Sequence, residues 1–181
     1  TAERSLRRSK LDGSKIELLE STNGLTGEVC GLALDRIRHI LYFSDANTGG
    51  IYFLSLNSTN PSVKKLVGDL NEPRGIALDP KRQLLYFVES SGKIYHVSTA
   101  DKSNLQKILL ISRPSNVRID TIALSLKGPR PTHKLYWAEL NSNVIMHASI
   151  EGQRPKDIAG TDGSILWPRS VAYDDEKNYG Y

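Results

Sequence analysis

The chain has 181 residues and a mass of 20.1 kDa; with 39% hydrophobic residues, 24% charged residues and only 8 prolines it supports a buried core and is no disordered tail. Twenty-four Lys and Arg against twenty Asp and Glu leave a net charge of +4. No run of five or six like charges occurs, so electrostatics do not call for nucleic acid. Cys30 is the single cysteine, which excludes an intrachain disulfide and any multi-cysteine zinc or redox motif.

Taken in chain order, short β-type runs recur at one phase. Residues 1–28 read as the end of one repeat, with Leu6 to Ser14 at the position of its third run, and no secretory signal is readable between Thr1 and Lys10. Residues 29–70 form the next unit. It opens with Gly31-Leu32-Ala33-Leu34-Asp35, continues with Tyr42-Phe43-Ser44-Asp45, and adds Ile51-Tyr52-Phe53-Leu54 and a fourth run after a polar turn. Residues 71–113 repeat the pattern as Gly75-Ile76-Ala77-Leu78-Asp79, Tyr86-Phe87-Val88-Glu89 and Ile94-Tyr95-His96-Val97. The longest clean apolar run, Ile108 to Ile111, is far below the roughly 20 residues that span a bilayer, so no membrane insertion by this segment is expected.

Residues 114–165 carry Thr121-Ile122-Ala123-Leu124-Ser125, Tyr136-Trp137-Ala138-Glu139 and Ile145-Met146-His147-Ala148, with a short insertion between Lys127 and Lys134. Residues 166–181 start another unit with Ser170-Val171-Ala172-Tyr173-Asp174. The first runs are spaced by 44, 46 and 49 residues. Four strands in about 44 residues, with turns of Gly, Asn, Asp, Pro and Ser and no helical period, make a propeller blade. The fold class is therefore all-β, a β-propeller of four-stranded antiparallel blades.

These residues resemble the YWTD repeats of the low-density lipoprotein receptor class. The resemblance is carried by Pro73-Arg74-Gly75-Ile76-Ala77-Leu78-Asp79, by Leu41 to Asp45 and Leu135 to Glu139, by Leu6 to Ser14, and by Trp167-Pro168-Arg169-Ser170 to Asp174. It implies a six-bladed propeller of which about four blades are present. Glu replaces the final Asp in two of the three tetrapeptides, and Ser125 replaces the Asp of the first run. Tyr181 falls at the offset of Tyr42 and Tyr86, so the chain reads as a section of a larger propeller, its ends completed by further residues or by another chain. A closed four-bladed ring is the other possibility.

No catalytic constellation is readable: G-x-S-x-G, H-E-x-x-H and P-loop patterns do not occur. Asp45, Glu89 and Glu139 recur at one phase and form either a carboxylate arc for a cation or, as the resemblance implies, structural acceptors for the next blade's backbone or for Arg74 or Arg169. The structural reading is preferred. His96 and His147 share another phase, where two ligands on separate blades make a poor zinc site. His39 and His133 are expected to be solvated turn residues, and Cys30 a small buried hydrophobe.

The turns after the first runs, with Arg36, Arg38, Lys81 and Arg82, make one end basic. The opposite end gathers Glu72, Arg74, Arg118, Trp167 and Arg169, a set suited to anchoring a partner, although Trp167 could equally cap the core. Asn57-Ser58-Thr59 is a glycosylation sequon in a turn. The expected function is a non-enzymatic, receptor-like or matrix-like protein-binding module, extracellular or in the secretory lumen, with no cofactor and no metal. Its partner is a protein ligand or a neighbouring subunit. An architectural subunit of a large assembly and a calcium-dependent propeller lactonase or hydrolase are the alternatives.

Overall fold

The computed structural model describes residues 5–21, 28–59, 61–101, 105–129, 132–152, 154–174 and 179–180. The regular elements among them are all strands, and no helix is long and apolar enough to cross a membrane. Three four-stranded antiparallel sheets follow one another. The first blade is β3 (Val29–Asp35), β4 (Ile40–Asp45), β5 (Gly50–Ser55) and β6 (Lys64–Val67). The second is β7 (Pro73–Asp79), β8 (Leu84–Glu89), β9 (Lys93–Ser98) and β10 (Ile108–Ser112), and the third is β11 (Ile119–Ser125), β12 (Lys134–Glu139), β13 (Val144–Ser149) and β14 (Lys156–Ala159). A hairpin of β1 (Ser5–Arg8) and β2 (Glu17–Ser21) precedes them, and β15 (Tyr173–Asp174) with β16 (Tyr179–Gly180) follows.

The aromatic tetrapeptides explain why these runs are apolar on both sides. Successive residues of a strand point to opposite faces, and each blade is packed on both. Tyr42 joins the cluster with Ile76, Leu85 and Phe87 between the first and second blades, while its neighbour Phe43 packs with Leu6, Tyr52 and Leu54 under the β1–β2 hairpin. Tyr86 and Trp137 meet in the cluster between the second and third blades, and Tyr136 stacks on Tyr173 at 4.8 Å between ring centres. The cores between the first and second and between the second and third blades thus each take one tetrapeptide aromatic from either side. The first-run apolar residue measures the coverage: Ile76 and Ile122 are 6% and 5% exposed, whereas Leu32, at the same phase of the first blade, is 58% exposed.

The inner strands touch through their backbones. The pairing of β3, β7 and β11 with its neighbour shifts at the same phase in all three blades, between Val29 and Gly31, Pro73 and Ile76, and Ile119 and Ile122. At that shift a Cβ on Gly31 would sit 2.6 Å from Arg74 O, and one on Gly75 would sit 2.5 Å from Thr121 Cα. Ser44 Oγ donates to Arg74 O across the same seam. Glycine is required here by close approach, not by an unusual backbone angle.

At the other end of the blades a second seam repeats. Asp35 Oδ1 accepts the amides of Ile37 and Arg38, Asp35 Oδ2 holds Arg38 Nη1 at 3.1 Å, and that nitrogen also donates to Pro80 O of the second blade at 2.8 Å. Asp79 holds Arg82 in the same way, at 2.7 Å. Ser125 interrupts the series, and His133 takes over: it is 3% exposed, with Nε2 at 2.9 Å from Gly128 O and Nδ1 at 3.4 Å from Arg82 Nη1. The expectation of a solvated His133 is therefore corrected. The insertion folds back on itself, with Thr132 Oγ1 donating toward Lys127 O and Pro129 O, and carries the ring into the seam. His39 is exposed as expected.

Candidate functional site

The inner strands all begin at one end of the blades, and the residues that open them surround a cavity of about 570 Å³. Cys30, Arg74, Asp120 and Arg169 each immediately precede the Gly, Thr or Ser of a first run, so the repeat delivers one from each of four consecutive units to this cavity. Glu28, Glu72, Arg118 and Trp167 stand two residues earlier at a common phase. Three cations and three carboxylates therefore share this end.

Arg74 is the hub. Its side chain is mostly buried and lies 3.5 Å from Asp120 Oδ1 through Nε, 3.5 Å from Glu72 Oε2 through Nη2 and 4.0 Å from Glu28 Oε1 through Nη1. Cys30 Sγ is 3.9 Å from Arg74 Nη1. Arg118 Nε donates to the same Asp120 oxygen at 2.9 Å, a contact that raises the already high pKa of Arg118. Burial, then the nearby Glu28, pushes the Cys30 thiol up despite Arg74, so Cys30 stays a thiol and is poorly suited to act as a nucleophile. These pairs share the mostly buried Arg74, so the network fixes the orientation of the guanidinium and of Asp120.

Trp167 is 74% exposed. It adopts φ 49°, and its amide donates to Asn143 Oδ1 at 2.9 Å. A bulky residue at positive φ is unusual and is held by its surroundings. Glu72, φ 46°, occupies the same phase one unit back from Arg118.

Of the residues the sequence brings forward, Arg74 and Arg169 line the cavity, where Glu28, Cys30 and Asp120 join them, while Glu72 and Arg118 reach it through their pairs with Arg74 and Asp120 and Trp167 is tied to Asn143 instead. The signal that finds Glu28, Cys30 and Asp120 is phase, followed around consecutive units. The three tetrapeptide acids are buried and take other hydrogen-bond partners. Asp45 Oδ1 accepts the amides of Asn47 and Thr48 in its own turn, Glu89 binds Lys107 Nζ at 3.1 Å and the amide of Asn71, and Glu139 binds Arg113 and Trp137 Nε1. Neither Arg74 nor Arg169 is among these partners. No group of three or more His, Cys, Asp or Glu able to hold a metal ion occurs among the described residues.

His96 and His147 sit over the first tyrosine of their blade's tetrapeptide, at ring distances of 5.7 Å from Tyr86 and 5.9 Å from Tyr136. Phe53 holds the same place over Tyr42. Burial first, then Lys134 and Lys156, holds the His147 imidazole below its usual pKa. A folded pKa below the unfolded one means that the unfolded chain takes up the proton first as pH falls. The contribution is present above the unfolded value of about 6.5 and is lost as pH falls toward the folded one. The urea midpoint of the wild type is expected to drop between about pH 7.5 and pH 5.5, and His147→Phe, which copies the first blade, is expected to flatten that drop. An unchanged slope in the variant removes His147 as its source.

The solved and curated relatives agree with this architecture. Over 91% of this chain the structure superposes on a chain of the nidogen/laminin complex with a TM-score of 0.73 at 20% identity, covering 59% of that chain. An auxiliary nutrient binding protein from Bacteroides ovatus gives 0.72 at 14% identity, over 94% of this chain and 48% of that one. Among curated sequences the low-density lipoprotein receptor-related protein 5-like protein of Homo sapiens is 30% identical over 148 residues, which is 81% of this chain and 55% of that protein. These are β-propeller-like repeats related, at low identity, to the low-density lipoprotein receptor class. Protein cueball of Drosophila ananassae is 23% identical over 185 residues, 90% of this chain and 27% of that protein. The chain thus spans about a quarter to half of these curated relatives. No family model matches it.

Proposed function

We propose that this chain is a section of a six-bladed YWTD-type propeller that acts as a non-catalytic, extracellular protein-binding module, and that it binds through the end where the inner strands begin. The observation that carries the reading is the convergence of Glu28, Cys30, Arg74, Asp120 and Arg169 from consecutive units on one open cavity, with Glu72 and Arg118 paired to Arg74 and Asp120 and the exposed Trp167 two residues before Arg169 in the chain. A projecting aromatic beside preoriented guanidinium and carboxylate groups is the composition of an interface anchor. Equal numbers of opposite charges suit a polar segment of mixed charge, not a polyanion. The units 29–70, 71–113, 114–165 and 166–181 each supply one part of this surface.

Further support comes from the relatives, whose names are those of receptor-related proteins and of a complex between nidogen and laminin. The placement in the extracellular space or secretory lumen rests on the same names. Laminin is accordingly the first immobilised probe to try, followed by other extracellular proteins. For any partner so captured, Trp167→Ala with Arg169→Ala is expected to weaken binding roughly 30-fold, an effect of hot-spot size. The unfolding midpoint should stay unchanged because both residues are exposed. Equal affinity in the double variant removes this end of the blades from consideration.

A further inference from the structure

We propose that Asn57 carries an N-linked oligosaccharide, placed so that it shields the end of the blades opposite the charged cavity. The proposal rests on the secretory placement given above. Asn57, Ser58 and Thr59 form an Asn-x-Thr sequon, and all three are exposed in the turn between β5 and β6. They lie outside the ladder, so a transferase can take the segment in an extended form without opening a sheet.

The topology fixes where the sugar goes. β3 leaves the cavity, β4 returns to it, and β5 leaves again, six residues and roughly 20 Å in length. Leu56 then donates its amide to His39 O at 2.8 Å, which ties the sequon to the far turn. That end also holds exposed Arg36 and Ile37. A large hydrated chain beside them would deny that surface to a protein partner and leave the cavity mouth open.

In the transfer, the Asn57 amide nitrogen attacks the anomeric carbon of an oligosaccharide linked to a polyprenyl pyrophosphate. The new C–N bond forms as the carbon–oxygen bond to the pyrophosphate breaks. The lipid pyrophosphate leaves, and the amide gives up one proton to a base of the transferase. No oxidant or reductant is involved.

The test uses the full protein purified from the cells that make it, together with the same chain directed through the secretory pathway of cultured eukaryotic cells. Peptides containing Asn57, released with peptide-N-glycosidase in heavy-oxygen water, are expected to carry the isotopic deamidation mark in both. The mobility shift caused by the enzyme should vanish in Asn57→Gln and in Thr59→Ala but persist in Ser58→Ala. A mark in the secreted protein but not in the native one overturns glycosylation of the native protein, and the extracellular placement falls with it. Folded protein recovered from the medium with unmodified Asn57 overturns the site and leaves the protein-binding reading standing.

Discussion

Replacing Arg113 by alanine is expected to cost about 3 kcal/mol, because it strands a buried carboxylate. Glu139 lies wholly inside the third blade, and Arg113, in the connection from β10 to β11, holds it through Nε at 2.6 Å and Nη2 at 3.2 Å. Trp137 Nε1 donates to the same carboxylate at 3.0 Å. One neutral donor does not compensate a buried negative charge, so removing the guanidinium exposes the full desolvation penalty. For a chain of this size the thermal midpoint should fall by roughly 6–12 °C. The diagnostic comparison is Arg113→Ala combined with Glu139→Gln. Removing the charge together with its partner should recover part of the loss, and the interaction energy of the cycle then measures the pair. A single-variant loss below about 1 kcal/mol would mean that the pair behaves as a solvent-screened one.

That pair also shows what a repeat makes legible. The strands could be read from the sequence because each tetrapeptide and each first run recurs, and the requirement to fill both faces of a blade leaves the same apolar signature every time. The recurrence of Asp45, Glu89 and Glu139 was equally visible, but their partners were not. Arg113 and Lys107 lie in or beside connections whose residue types do not recur, Leu70 standing where Arg113 does one unit earlier, and two acids one methylene longer than Asp45 reach past their own turn to find them. His133 was hidden for a related reason: the insertion after Lys127 breaks the phase, and only its fold-back through Thr132 puts the ring beside Arg82. Asp120 and Cys30 were within reach of the sequence. They occupy the same position as Arg74 and Arg169, and following that phase through the units brings them forward.

Changing Gly75 to alanine is expected to be among the most damaging single substitutions in the chain, although it adds one carbon atom. The new Cβ would meet Thr121 Cα at 2.5 Å and Asp120 O and Ile122 N at 2.9 Å, and all three are backbone atoms of the next blade that no rotamer can move aside. Two effects oppose each other. Alanine restricts the unfolded chain and on that account stabilises by about 0.4–1 kcal/mol, whereas overpacking a rigid seam costs up to about 3 kcal/mol. The seam wins, so the net loss should be about 2 kcal/mol. Gly68→Ala is the control, because its nearest neighbour is the mobile Lys65 side chain at 3.3 Å, and it should stay within about 0.5 kcal/mol of wild type.

The consequence reaches the cavity, since Arg74 and Asp120 are the residues immediately before the two backbones that would be forced apart. Their ion pair already stands at 3.5 Å, and widening the seam separates them further. Gly75→Ala should therefore weaken partner binding as well as the fold, whereas Trp167→Ala with Arg169→Ala should weaken binding alone. A Gly75 variant that is destabilised yet binds normally at a temperature where it remains folded would detach the inner-strand seam from recognition and move the binding surface outward to Trp167 and Arg169.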